Sequence, residues 1–426
     1  MRGKDAPPAG HSEASVSSPP DMARNTAYGY TYGRSSGNRS ISGSADLPSS
    51  EPVDVELGGV PEWVVGAPVE DDTVWIVALG DGRIDAFRLD GATGRVEPWP
   101  VSPDLLPAGS PPAVVVEEDD LRLLDASGRG ASDSTHPVPI TASEGEGSLV
   151  VARDGRLFVR REGRFASIGD PQVRALPDAR PVRSSDGRIA VLSGPTRRYV
   201  HGVVGDDLEA GSITVLESSK TGVSVAGRIA PESGGVFELV SPLWFEEPGG
   251  EQLLAVTESA EGVGSRISVY RPDGNLVAAG PFYGEPQRWR HLLAAGPFGP
   301  NGELEIAATR TPHIGGIVEF YAIDAPSGEL EITATQPGYA THRIYTRNLD
   351  TVRAGDLDGD GRWELLVPDQ TYTELGAIRH ERDGARVAWT LPAGGVMTTN
   401  LVSAEDSRGR ALVAVGREDG TLRIWR

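Results

Sequence analysis

"VWIVALGDGRIDAFRLDG", Val74 to Gly91, consists of two largely apolar runs folded about Asp81-Gly82. The pattern returns in "SLVVARDGRLFVRREG", Ser148 to Gly163, and in "ALVAVGREDGTLRIWR", Ala411 to Arg426. A more acidic version is "AVVVEEDDLRLLDASG", Ala113 to Gly128. Asp-Gly between alternating apolar residues marks a tight β-hairpin, because the turn requires positive φ, which glycine adopts without strain. No long segment has helical spacing, so the chain reads as all-β.

The same two-strand unit recurs with longer connections: "RIAVLSG" with "SITVLES", "QLLAVTES" with "RISVYRPDG", "LEIAATR" with "IVEFYAID", and "WELLVPD" with "GAIRHERDG". One apolar residue from the first strand of each unit gives Trp75, Val115, Val150, Ala190, Leu254, Ile306, Leu366 and Val413, at intervals of 40, 35, 40, 64, 52, 60 and 47 residues. Such spacing suits four-stranded blades, which bury both faces by stacking radially, and predicts a β-propeller of eight blades. The alternatives are seven blades, with 101–143 not forming a full one, or two separate sheet domains. The last hairpin ends at Trp425-Arg426 without an outer strand, whereas "PVDVELGG", 52–59, is a strand placed before the first blade. Pairing of Val53–Leu57 with Thr421–Trp425 would close the ring.

Composition narrows function. Of 426 residues, 38% are hydrophobic, enough for a packed core. The formal charge is -21, from 61 acidic against 40 basic residues, which argues against nucleic acid as a partner. Cysteine is absent, which removes disulfides, thiolate metal sites and cysteine nucleophiles. No apolar run is long enough for a membrane span, and the first twenty residues lack the apolar core of a signal peptide. Residues 1–52, rich in Ser, Gly, Pro and Ala, read as a disordered leader or tether carrying a sequon at Asn38-Arg39-Ser40, and 53–426 as a single propeller domain.

"AGDLDGDGRWELLVP", Ala354 to Pro368, carries the clearest chemistry. Counted from Asp356, side-chain oxygens fall at positions 1, 3, 5 and 9 (Asp356, Asp358, Asp360, Glu364), Gly361 stands at position 6, and Arg362 at position 7 offers its carbonyl. A hard cation favours such oxygens. Position 12 is Val367, inside an apparent strand, so the loop is not an EF-hand. It resembles the calcium loop of FG-GAP (VCBS-type) repeats, known from integrin α-subunit propellers, which lead directly into a strand. That resemblance implies one calcium ion held by Asp356, Asp358, Asp360, Arg362 and Glu364, stiffening one blade. One unit earlier, "AAGPFGPNGELEIAAT" keeps the frame but has Pro297 and Gly299 in place of the first two aspartates, so a single site is expected. The alternative is a solvated acidic turn without metal. The last hairpin also resembles the end of a WD-type repeat, and the Asp-Gly-Arg hairpins resemble those of quinoprotein-type propellers.

No zinc-hydrolase histidine spacing, nucleophile elbow, phosphate loop or dinucleotide fingerprint is present. "FYGEPQRWRHLLAAG" and "PGYATHRIYTRN" supply a candidate recognition surface of Tyr283, Arg288, Trp289, Arg290, His291, Tyr339, His342 and Arg343; packing between blades is the alternative. Arg197-Arg198 lies in a long insertion that suits an anion; a solvated loop is the alternative. These features lead to a non-enzymatic, calcium-stabilised interaction module for a protein or glycan, at an extracellular, cell-surface or periplasmic location. The competing expectations are a rhamnogalacturonan-type polysaccharide lyase and a scaffold subunit of a larger assembly.

Overall fold

The computed structural model describes residues 26–30, 38–40 and 43–426, apart from positions 103, 118–119, 125–129, 133, 136, 143–144, 162–163, 169, 171–172, 220–221, 285–286, 325 and 407. Among these residues the chain is strand after strand, with one short 3-10 turn at Leu47–Ser49.

Antiparallel meanders follow one another. The first sheet runs Pro61–Val69, Asp72–Leu79, Ile84–Leu89 and Val96–Pro98. A hairpin, Val114–Glu117 with Asp120–Leu123, comes second, and no further strand of that region lies among the described residues. The third sheet spans Val138–Ser167, the fourth Val182–Ile229, the fifth Val236–Ala279, the sixth Arg290–Pro337 and the seventh Arg353–Pro392. The eighth takes Val402–Glu405, Ala411–Gly416 and Thr421–Trp425 from the end of the chain and Val53–Glu56 from its beginning. Val53, Asp54, Val55 and Glu56 lie opposite Ile424, Arg423, Leu422 and Thr421. Single residue pairs, Ala210 with Phe237 and Ala279 with Glu329, join the fourth, fifth and sixth sheets, and with Tyr28–Tyr30 and Asn38–Ser40 they make one sheet of fourteen strands.

The hairpins have a common local cause. In Asp-Gly-Arg turns the aspartate accepts from the amide two residues on and from the arginine side chain: Asp81 from Arg83 N (3.1 Å) and Nε (2.7 Å), Asp154 from Arg156 N (3.1 Å) and Nε (2.6 Å). The glycine between them is left-handed, φ 88° at Gly82 and 76° at Gly155. At Gly155 a β-carbon would also lie 2.3 Å from the Ala175 carbonyl oxygen, so two constraints demand glycine. Gly155→Ala is expected to cost about 1–3 kcal/mol, measured as a lower urea midpoint at unchanged slope.

Apolar clusters join neighbouring sheets. Val65 and Ile76 of the first sheet meet Val114 and Leu121 of the hairpin, and Phe298 and Phe320 of the sixth meet Val352 and Leu365 beside and within the seventh. Leu366 and Leu375 of the seventh meet Val413 and Trp425 of the eighth. Val64 and Trp75 of the first meet Leu412 and Ile424 of the eighth. Buried Asn400 fastens this junction by accepting from Val64 N (2.9 Å) and donating to Val64 O (2.8 Å). Four-stranded meanders stacked in this way are the architecture of a β-propeller.

The expected tether ending at residue 52 is corrected in its described part. Tyr28–Tyr30 is a strand that adds to Arg290–Gly296, with Tyr28 opposite Ala295. Ala45 N donates to Asp356 O (3.0 Å), Leu47 N to Leu357 O (2.9 Å), and Ala411 N to Ser44 O (2.8 Å). This segment therefore runs between the seventh and eighth sheets, where Leu47 is fully buried against Leu357. Backbone pairing and single apolar anchors outweigh its polar composition. Residues 1–25 lie outside the described residues, and at the sequon only the backbone strand Asn38–Ser40 is described. Among the described residues no helix is long and apolar enough to cross a membrane.

Candidate recognition cleft and acidic loop

In an antiparallel meander, connections alternate between the two ends of the sheet. The acidic loop follows the first strand of the seventh sheet, and the segment 338–352 precedes that strand, so the two lie at opposite ends.

Pairing of Leu365 with Ile378 makes Arg379, on the neighbouring strand, the cross-strand neighbour of Glu364. The Arg379 guanidinium lies against three of the four carboxylates. Its Nε donates to Glu364 Oε1 (2.8 Å), Nη1 to Asp360 Oδ2 (2.9 Å), and Nη2 to Asp358 Oδ2 (3.0 Å) and Glu364. Main-chain amides take most of the other oxygens: Gly361 N donates to Asp356, Asp360 N to Asp358, Arg362 N to Asp360 and Leu357 N to Glu364. The Arg362 side chain pairs with Glu381 instead. Only Asp356 Oδ1 is buried without a partner in this group. Burial pushes the Glu364 carboxyl up to about 7, against the downward pull of Arg379 and the Leu357 amide. Calcium asks for six to eight oxygens converging on one point. Asp356, Asp358 and Glu364 each bring one oxygen to within 4.8 Å of the others, but Arg379 already holds oxygens of Asp358, Asp360 and Glu364, so the loop does not offer calcium six free oxygens while Arg379 remains in place.

At the other end, Val200, His201, Val203, Gln287, Arg288, Trp289, Thr311, His313, Ile314, Ile344 and Tyr345 line a cleft of about 780 Å³. They come from connections of the fourth and sixth sheets and from the entry to the seventh. Large apolar side chains stand in solvent at its rim, Ile314 being 68% and Tyr345 71% exposed, with Val200 and Ile344 beside them. Gln287, Thr311 and Tyr345 hold positive φ values of 47°, 48° and 66° without being glycine.

The floor is an aromatic stack. Trp289, 2% exposed, lies between His291 (5.2 Å, 9°) and His313 (5.5 Å, 18°), with His342 edge-on at 5.0 Å. The partners fix the tautomers. His313 Nδ1–H donates to His342 O (3.1 Å) and His342 Nε2–H to Thr346 O (2.8 Å). His313 Nε2, His342 Nδ1 and Trp289 Nε1 are left buried without partners. Burial keeps these imidazoles neutral, lowering His342 to about 3 and His291 well below the usual range, with neighbouring imidazoles adding to the effect. Behind the cleft wall, His201 Nδ1 pairs with the fully buried Glu238 (2.9 Å), and burial with nearby Glu238, Asp206 and Asp178 pushes the Glu209 carboxyl strongly up.

The structure divides the recognition residues expected from sequence. Arg288 and Trp289 line the cleft, and His291 and His342 lie beneath it. Arg290 is buried with Glu319 (2.9 Å), and Tyr339 is buried in the core beside Gly376, so neither forms a recognition surface. Tyr283, still 38% exposed, has the guanidinium groups of Arg290 and Arg310 over its ring at 5.5 Å and 4.3 Å, and Arg343 lies over Tyr372 at 4.2 Å while donating to Met397 O. Arg197 pairs with Asp207 and Arg198 with Gly235 O, so both already have partners. Sequence reading missed Val200, His201, Val203, Thr311, His313, Ile314 and Ile344 as one site. The signal available was apolar residues in short polar connections, "TPHIGG" and "HRIYT".

The chain is thus an all-β protein of propeller architecture with a cleft at one end of its sheets. No protein family profile matches the sequence, and no curated protein matches it. Among solved structures it is similar to BamB from Moraxella catarrhalis (10% identity, 89% of this chain and 97% of that one, TM-score 0.40). It is also similar to BBS1N in complex with ARL6DN (12%, 88% and 96%, TM-score 0.43) and to the WD40 β-propeller domain of Doa1 (12%, 88% and 96%, TM-score 0.40). At such values nothing about the site carries over from them.

Proposed function

We propose that this protein is an interaction module whose cleft receives a protruding apolar side chain of a protein partner, on an eight-bladed ring closed by Val53–Glu56. The observation that carries this reading is the convergence of Val200, Ile314, Ile344 and Tyr345, all exposed, on one cleft over Trp289. Exposed apolar groups around a concave, aromatic-floored site are the usual form of an interface anchor, and backbone strain is tolerated where a site is held in shape. The pairing of Val53–Glu56 with Thr421–Trp425 and the cluster uniting the first and eighth sheets support the closed ring.

A random-peptide display selection on the purified protein tests the reading, with a glycan array run in parallel. Peptides carrying an aliphatic or aromatic anchor are expected to be enriched, and Ile314→Asp to weaken them by roughly tenfold or more, the scale of a hot-spot loss. Ile314 is exposed, so folding should be unaffected. Binders indifferent to Ile314→Asp and Tyr345→Ala, or glycans as the only ligands found, would remove the reading.

A further inference from the structure

We propose that Arg379 is the resident cation of the acidic loop, built into the place the sequence resemblance gives to calcium, so that the loop is a calcium-independent form of that motif. The contacts are specific. Each of the three guanidinium nitrogens donates to the carboxylates, and three of the four candidate acidic ligands, Asp358, Asp360 and Glu364, are engaged. The Arg379 side chain is 6% exposed and that of Glu364 0% exposed, so the pair is shielded from water. A cation attached to the next strand needs no translational entropy to bind, and its planar fork matches carboxylates in a way that a single ion with six or more close ligands cannot share.

The sixth sheet offers an internal comparison. Leu365 opposite Ile378 in the seventh corresponds to Ile306 opposite Tyr321 in the sixth, so Glu364 corresponds to Glu305 and Arg379 to Ala322. In the sixth sheet the loop has Pro297 and Gly299 instead of Asp356 and Asp358, and alanine stands where the arginine would be. The arginine occurs where the carboxylates are complete. Glu305 finds its partners elsewhere, in His380 Nδ1 (2.8 Å) and Thr333 (2.7 Å).

Loop stability also reaches a neighbouring segment, since the Asp356 and Leu357 carbonyls hold Ala45 and Leu47. Losing the guanidinium leaves Asp356, Asp358, Asp360 and Glu364 without an internal counter-charge, the condition under which a divalent ion binds best.

The test uses calorimetric titration with CaCl2, thermal melts in calcium and in chelator, and terbium luminescence sensitised by Trp363 within the loop. The wild-type protein is expected to show no saturable calcium binding and the same melting temperature in both solutions. Arg379→Ala is expected to melt about 5 °C lower in chelator and to regain much of that loss in calcium, with at least tenfold tighter terbium binding than wild type. Saturable calcium binding by the wild type, with a rise in its melting temperature, overturns the proposal. So does an Arg379→Ala variant as stable as wild type and indifferent to calcium. If Arg379→Ala does not fold, the wild-type titration still decides, and Arg379→Gln, which keeps length without charge, replaces it in the melts.

Discussion

Deleting residues 1–56 is expected to abolish cooperative unfolding and to leave an aggregating chain. The deletion takes away the outer strand of the eighth sheet, whose four residues pair with Thr421–Ile424, and the Leu57 amide bond to Gly420 O (2.8 Å) loses its support. It also removes Asp54, which accepts from Arg423 Nε and Nη2, each at 2.7 Å, and from Arg417 Nη1 at 3.3 Å. Fully buried Leu47 and Ala27 leave with it, as does the strand added to Arg290–Gly296. Backbone hydrogen bonds contribute about 1 kcal/mol each net and a buried leucine about 2 kcal/mol. Their sum, roughly 5–10 kcal/mol, matches the whole stability of an ordinary domain, about 5–15 kcal/mol. The exposed edge of Thr421–Trp425 would then be free to pair with another chain. Urea unfolding followed by far-ultraviolet dichroism and light scattering checks this. Asp54→Asn is the control: its side chain is 39% exposed, so solvent screens the ion pairs and little stability should be lost. A truncated chain that melts sharply within a few degrees of the full one would show that the pairing of Val53–Glu56 contributes little.

The parts of this fold that were legible in sequence are those with local causes. An Asp-Gly-Arg turn announces itself because the aspartate, the left-handed glycine and the arginine are consecutive, and the alternation on each side assigns the strands. The pairing of Val53–Glu56 with Thr421–Ile424 was legible because Val53 and Val55 alternate with acidic residues. The segment before it was not. Ala27 and Leu47 are isolated apolar residues in polar surroundings, and their burial comes from partners some 270 and 310 residues away, so no period marks them. In the acidic loop the carboxylates were plain, whereas Arg379 was one of 40 basic residues. Working out the hairpin register, Leu365 opposite Ile378, would have placed it beside Glu364. The cleft was the least legible feature. It gathers 200–203, 287–289, 311–314 and 344–345, and linear spacing says nothing about which connections meet at one end of stacked sheets. Trp289 was singled out from composition, yet its role is that of a floor between imidazoles, with Arg290 turned into the core.

Trp289→Ala is expected to cost about 3–5 kcal/mol, the range for emptying a buried indole site that cannot collapse. Collapse is resisted because the ring is enclosed by His291, His313 and His342, each anchored by its own hydrogen bond. The penalty should also depend on pH, which a purely steric loss would not. His342 titrates at about 3 in the folded protein because it is buried, far below an unfolded imidazole near 6.5, and burial lowers His291 as well. A lowered base binds fewer protons folded than unfolded, so its stability contribution is complete above about pH 6.5 and is lost as pH falls toward the folded value. Between pH 6.5 and pH 5 the unfolded chain gains about 2 kcal/mol per such histidine, at about 1.4 kcal/mol per pH unit. With the indole gone, water reaches the imidazoles, their folded values rise, and this acid-dependent loss shrinks. Trp289→Ala should therefore look more harmful at pH 7.5 than at pH 5, by about 2 kcal/mol for each histidine released. Comparing variant with parent at each pH cancels unrelated groups such as Glu209, whose buried carboxyl titrates in the opposite sense. Urea midpoints of both proteins at the two pH values supply the measurement. An equal penalty at both would mean that the imidazoles keep their burial without the indole, and that the stack is held by the hydrogen bonds of its histidines alone.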